Sequence, residues 1–301
     1  MVDPNSPHFT FLLNSSYETV IDLCTNIADL SPICDSPYLW ARKAELDFNI
    51  TPEDLELVPG DNNFIKYTWI MNLDPNEGLI QASEINNLSL AKYFISQGAN
   101  SFNSAIFIAS EQGYLPLVKL LVKKDNVDGA ICLAAENGHV NVVSFLLKYG
   151  ANDYNNIMIC AIEGNQIDIV KLMINLGADE YDRGMIEAAR NGYLDIVKLM
   201  IKKGAKDFDG TMLMASKYGH LNIVKLMIDH GADNFNDGML AAAFVGDPEI
   251  LRLMLDHGAN NYEDAIEQAY LKDHYEIIDI IKQYIEGQRL YDQFLLESGR
   301  F

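Results

Sequence analysis

The stretch Met185–Phe208, MIEAARNGYLDIVKLMIKKGAKDF, decides the fold, because versions of it recur on both sides at a 27-residue step. Taking Val197 as the anchor, the equivalent positions are Ala91, Val118, Val143, Val170, Val224, Leu251 and Ile278, with one step shortened to 25 between Val118 and Val143. Nine residues before each anchor stands an alanine: Ala82, Ala109, Ala134, Ala161, Ala188, Ala215, Ala242 and Ala269. Five before it stand Asn86, Gly113, Gly138, Asn165, Gly192, Gly219, Gly246 and Asp273, residue types that tolerate a left-handed backbone between two helices. Seven after it, Gly-Ala recurs at Gly98, Gly150, Gly177, Gly204, Gly231 and Gly258, where a helix can end on a left-handed cap. A repeat of this regularity is read before anything else.

Inside each copy the apolar spacing is helical. Leu194, Ile196, Val197, Met200 and Ile201 cover one face of a helix and leave Lys198 and Lys202 on the other. The helix before it is shorter, with Met185, Ile186, Ala188 and Ala189 apolar. Asp182 is expected to cap its free amides, as one of a column running Asn103, Asp128, Asn155, Asp182, Asp209, Asn236, Glu263. A helix pair of this size cannot bury its apolar face alone, so neighbouring pairs must stack, and the alanines mark where helices approach closely.

The pattern A-x-x-G-[HY]-x-x-[IV]-V-K-L-[ML]-[IL]-x-x-G-A in Ala189–Ala205 and its relatives resembles the ankyrin repeat, in eight registered copies over residues 79–286. The family's usual period is 33. The six missing residues come from between Gly-Ala and the next alanine pair, where the family's β-hairpin finger lies, and the Thr-Pro-Leu-His opening is also missing. Short-fingered arrays of this style look most like ankyrin proteins of giant, mimivirus-like viruses. The resemblance implies an all-α ankyrin-type solenoid with shortened loops and a protein partner.

Residues 1–78 do not repeat. Pro4 and Pro7 suggest an irregular lead-in over residues 1–10, followed by a helical module to Phe48 and a connector holding a helix around Phe64–Ile70. Leu23, Ile33, Leu39 and Trp40 resemble the latter half of an F-box, which implies docking to a Skp1-type ubiquitin-ligase adaptor. The alternative is a cap on the array, and either arrangement buries Trp40. Asp74–Gly78 starts like a calcium loop, but its twelfth position is Ile85 where a bidentate Glu is needed, so a turn followed by a helix is expected. Residues 287–301, with Leu290, Tyr291, Phe294 and Leu295, form either a final capping helix or a tail.

The chain of 301 residues carries a formal charge of −21, split as −10 over residues 1–78 and −11 over the rest. That balance opposes phosphate contacts and favours basic partners, so no nucleic-acid partner is expected. No stretch of the length and apolarity of a membrane span occurs, and an intracellular, soluble protein is expected, in cytoplasm or nucleus. Cys24, Cys34, Cys132 and Cys160 show no metal-ligand or Cys-x-x-Cys spacing, which points to reduced thiols, with the last two in the core.

Phosphate-binding loops, nucleophile elbows and His-Glu-x-x-His are lacking, so neither catalysis nor a cofactor is expected. His139, His220 and His274 follow the interhelical Gly or its equivalent and are expected to bond loop backbone. An aromatic column, Phe102, Tyr154, Tyr181, Phe208, Phe235 and Tyr262, is expected to pack between successive units. A basic column from Lys92 to Arg252 is expected to be solvated. A third column, Glu84, Glu111, Glu136, Glu163, Arg190, Lys217, Phe244 and Leu271, turns from acidic to basic to apolar, as a surface that specifies one partner would. Partner contacts are expected at its first six members and at loop acids Glu180, Asp182, Asp207 and Asp209.

Overall fold

The computed structural model describes residue 3 and residues 6–297; of residues 292 and 294–297 it describes the backbone only. Every regular element among the described residues is helical, and the chain divides into two compact units, Met1–Asn152 and Asp153–Phe301. The first unit holds a helical module and three helix pairs. Their inner helices are Pro75–Glu84, Phe102–Glu111 and Val127–Glu136, and their outer helices Leu88–Ser96, Leu115–Leu121 and Val140–Tyr149. The second holds five pairs, with inner helices Tyr154–Glu163, Tyr181–Arg190, Phe208–Lys217, Phe235–Val245 and Tyr262–Leu271. Their outer partners are Ile167–Leu176, Leu194–Lys203, Leu221–Asp229, Pro248–Asp256 and Tyr275–Glu297.

Within each unit an inner helix packs on its own outer helix and on the next inner helix. The alanine column lies in these contacts: all eight alanines are fully buried, as are seven of the eight anchors, Ile278 keeping 7% exposure. The Gly-Ala glycines take left-handed φ angles, ending the outer helices, and the alanine after each is buried. The interhelical column is also left-handed throughout, including the non-glycine members Asn86, Asn165 and Asp273.

The shortened repeat closes without Gly-Ala. Its outer helix Leu115–Leu121 has Pro116 in the first turn, where the missing N–H is no loss. Buried Asn126 then accepts from the Lys123 amide at 2.8 Å and donates to the Leu121 carbonyl at 3.3 Å, replacing the lost cap.

Hydrogen bonds correct the capping assignment. The inner helices start two residues earlier than a cap at Asp182 requires: Asp153 caps through Asn156 N at 3.0 Å and Asp207 through Gly210 N at 2.9 Å. The Asn/Asp column sits inside the first turn, and its members Asn155, Asp182, Asp209 and Asn236 serve the following repeat. Asp182 Oδ1 accepts from Lys206 N and Asp207 N at 2.5 and 2.9 Å, and Asp209 Oδ1 from Asp233 N and Asn234 N at 2.9 and 3.0 Å. Asn155 and Asn236 repeat the arrangement within this unit, and Asn76 does so in the first unit. One side chain thus satisfies two amides of the next loop, where the longer family repeat places its finger.

The aromatic column makes ring contacts within its own repeats. Its members open the inner helices, and several meet the end of their own outer helix: Phe208 meets His230 with ring centroids 5.6 Å apart, Phe235 meets His257 at 5.2 Å, and Lys123 lies over Phe102 at 3.5 Å.

Residues 7–72 form their own core against the first repeat. Contrary to the expected irregular lead-in, a helix begins at Pro7, with Ser6 accepting from Phe9 N; proline at the first helical position is compatible with helix. Tyr67 is the hub, stacked near Tyr17, Trp40 and Phe48 at 5.7, 5.3 and 4.8 Å. Beside it the buried Lys43 donates to the Ser15 carbonyl at 2.7 Å and pairs with Asp47 at 2.9 Å, while Tyr67 donates to Asp47 at 2.5 Å. Phe48 meets Tyr93 at 4.9 Å, and Asn87 donates to the Asp54 carbonyl at 2.7 Å, tying this core to the first helix pair.

The cysteine expectation is overturned: Cys24 and Cys34 form a disulfide, with Cα atoms 5.8 Å apart. The short turn Ala28–Leu30 folds Ser31–Cys34 back on the preceding helix, a juxtaposition that spacing alone does not reveal. Cys132 and Cys160 are half-buried, and no described cysteine is a free thiol, so the inference of a reducing environment loses its premise. At the far end Tyr275–Glu297 runs unbroken through Gly287, so Leu290 and Tyr291 continue the last outer helix and are exposed. The side chains of Phe294 and Leu295, and residues 298–301, lie outside the described residues.

Candidate functional site

Each inner helix ends, or ends within one residue, at the third column, just before the left-handed interhelical turn. All eight members are exposed, in contrast to the buried alanines two residues earlier. In the first unit the column presents Glu84, Glu111 and Glu136. In the second it presents Glu163, Arg190, Lys217, Phe244 and Leu271, with Phe244 and Leu271 40% and 64% exposed.

The backbone of this column is held by the following repeat. His139 Nε2 bonds the Glu111 carbonyl at 2.7 Å, His220 the Arg190 carbonyl at 3.0 Å and His274 the Phe244 carbonyl at 3.2 Å, while Tyr193 OH donates to the Glu163 carbonyl at 3.3 Å. The expected backbone role of the histidines is therefore met. Among the described residues no group of three or more His, Cys, Asp or Glu is placed to hold a metal ion.

Each bonding histidine lies over the turn glycine of the preceding repeat: His139 over Gly113, His220 over Gly192, His274 over Gly246. Tyr193 instead follows a repeat whose turn residue is Asn165, which has a Cβ. The sequence carries this Gly–His and Asn–Tyr pairing, but only a structure says that the two positions touch.

The loop acids have internal duties. Asp182 and Asp209 accept the amide pairs described above, Asp207 caps its own helix, and Glu180 pairs with Arg183 at 3.1 Å on the surface. Arg190 pairs with Glu187 at 3.1 Å. The basic column is exposed, and Lys171 with Asp168 at 3.4 Å is the ion pair found in it among the described residues. Of the F-box-like residues, Leu39 and Trp40 are interior, with Trp40 Nε1 donating to the Cys34 carbonyl at 2.7 Å, whereas Leu23 and Ile33 are half-buried.

On the inner-helix face of the second unit lies a cavity of about 570 Å³, spanning Phe208–Lys217, Phe235–Val245 and Tyr262–Leu271. Its apolar lining comes from Leu213, Met214, Leu240, Ala241 and Phe244. Nothing in the sequence singles it out, since Ala241 reads as one more alanine in an alanine-rich helix.

No helix among the described residues is long and apolar enough to cross a membrane. A family model described as ankyrin repeats (3 copies) matches at residues 79–156, 125–183 and 185–265. A comparison with curated proteins finds no match. Among solved structures, the crystal structure of human ASB11 ankyrin repeat domain is similar at 22% identity and a TM-score of 0.42, over 64% of this chain and 90% of that one. With its matches spanning more than half of the sequence, on helix pairs stacked through a buried alanine column, the chain belongs to the ankyrin-repeat family.

Proposed function

We propose that the chain is a non-catalytic protein-interaction scaffold that holds a protein partner at the exposed ends of its inner helices. The observation that carries this reading is the contrast between two columns two residues apart: one is alanine and buried in every copy, the other exposed in every copy and different in charge and polarity along the array. The stacking contacts need the first to be constant, whereas the second is exposed, with surface contacts such as Arg190 to Glu187, and its variation is the raw material of specificity. The net charge of −21 favours a partner with a basic surface, through faster encounter and rejection of acidic competitors.

The test is crosslinking and mass spectrometry of partners captured from cells by the whole chain, with three variants alongside. Glu111→Lys with Glu136→Lys, and separately Lys217→Glu, alter the column; Lys198→Glu alters the outer helices. Capture that falls with a column variant and persists with Lys198→Glu supports the reading. The reverse pattern places the interface on the outer helices and refutes it.

A further inference from the structure

Because the repeats stack in register, a position where one repeat carries a much smaller residue than its neighbours leaves space on the inner-helix face. In the second unit the column that passes through Glu187 and Met214 reaches Ala241 and then Gln268, and Ala241 is its smallest member. The cavity of about 570 Å³ opens there. Leu213, Met214 and Leu240 wall it, and at one end Phe244 stands where earlier repeats carry a charge.

The rim has the opposite character. Asp237, Asp264 and Glu267 border the cavity together with Lys217, and a second ammonium, Lys272, lies 4.5 Å over the ring of the lining Phe244. Two of the carboxylates are held in place, Asp237 by Asn234 Nδ2 at 2.6 Å and Asp264 by Asn261 Nδ2 at 2.7 Å. At the end of the next inner helix Tyr270 and Leu271 are each 64% exposed. Contiguous exposed apolar surface with a polar border marks an interaction site, and a central pocket for one anchoring side chain is where binding energy concentrates.

Resting on the interaction reading above, we infer that this pocket takes an aliphatic or aromatic side chain of a partner polypeptide segment that carries an Arg or Lys close by. The apolar side chain fills the space over Ala241, and the cation lies among Asp237, Asp264 and Glu267. Charge complementarity commits the occupant: three fixed or bordering carboxylates repel phosphates and acidic segments, and they reward a cation with charge-assisted hydrogen bonds.

The test pans a phage-displayed library of random dodecapeptides on the whole chain and titrates the selected peptides, synthesised with a fluorophore, by anisotropy. Ala241→Met repeats the residue of the preceding repeat at the same position, so it fills the space in a way the fold already accommodates; helical content by circular dichroism checks this. Glu267→Lys changes the rim at an exposed position. The expected result is enrichment of peptides pairing an apolar residue with a nearby Arg or Lys, with affinity about tenfold weaker on Ala241→Met and on Glu267→Lys, the size of losing one anchor. Peptides that ignore both variants but lose binding with Glu111→Lys plus Glu136→Lys would overturn the pocket and leave the interaction reading standing. Peptides that depend on Ala241 but carry no cation, or no enrichment at all, would also overturn it.

Discussion

Gly192→Ala is the sharpest test of how neighbouring repeats are joined. Gly192 turns between two helices at φ +77, and an alanine there costs about 1–2 kcal/mol for the left-handed backbone. Its Cβ would also lie 2.6 Å from His220 Cε1 and 2.7 Å from Nδ1. The imidazole must then move, endangering its 3.0 Å bond to the Arg190 carbonyl, a further loss of about 0.5–1.5 kcal/mol. Gly219 provides the control: it has the same role and φ +76, but the nearest atom to its added Cβ is Asp247 Oδ2 at 3.8 Å. Both variants share the backbone strain and the opposing gain from a stiffer unfolded chain. Urea unfolding followed by circular dichroism should therefore find Gly192→Ala the more destabilising by about 1 kcal/mol, as the His220 bond alone implies. In the background of His220→Ala that excess should vanish, because the ring is gone. Equal losses for the two glycines, or additivity of Gly192→Ala with His220→Ala, would refute the claim that the ring rests on the glycine.

Three further outcomes follow from the hydrogen bonds and packing. Asp182→Ala should cost about 0.5–1.5 kcal/mol by removing the acceptor of the exposed Lys206 and Asp207 amides, whereas Asp182→Asn should cost less, since Asn155 and Asn236 fill the same role; denaturation midpoints compare the two. Ala188→Glu, at a fully buried contact between inner helices, should cost several kcal/mol or unfold the chain, while Lys202→Glu on an exposed face should leave the melting temperature nearly unchanged. Burial first, and then the bond to Asp47, raise the Tyr67 phenol above its ordinary value of 10.0. The native state then holds that proton more tightly than the unfolded one. Its stabilising contribution is complete below pH 10 and is lost as pH rises beyond it, so Tyr67→Phe should flatten the alkaline limb of a stability–pH curve.

How much of this was legible in the sequence depended on whether the physics was local. Burial at a fixed period is written directly into residue type, so the alanine column, the anchors and the left-handed turns were readable from Met185–Phe208 outward. The helix Pro7–Asn14 is readable too, since Ser6-Pro7 is a helix start, although Pro4 and Pro7 together suggest an irregular lead-in. What sequence could not supply was partnership between distant residues. Asp182 looks like a cap because an Asp near a helix start usually is one; its actual clients lie 24 and 25 residues ahead. Cys24 and Cys34 meet only because a turn folds back, and the pocket over Ala241 exists only because Met214 and Gln268 flank it.

That division bears on where a binding site can be sought. With the family's finger shortened, loop acids have structural work: Asp182 and Asp209 each accept from two amides at the start of the next inner helix, where the helix dipole also favours a negative charge. A variant at Asp182, Asp207 or Asp209 would lower stability, so a fall in capture could not be assigned to a lost partner contact. The inner-helix column has side-chain contacts that lie on the surface, Arg190 with Glu187 at 3.1 Å and Lys272 over the Phe244 ring at 4.5 Å, rather than at the amides that start the next helix. Its backbone is fixed from the next repeat by His139, Tyr193, His220 and His274, while the side chains from Glu84 to Leu271 extend outward. A rigid main chain bearing replaceable side chains is the arrangement that lets a partner be specified without remaking the fold, and it makes the column and the pocket beside Phe244 the places where a lost interaction can be read as lost recognition.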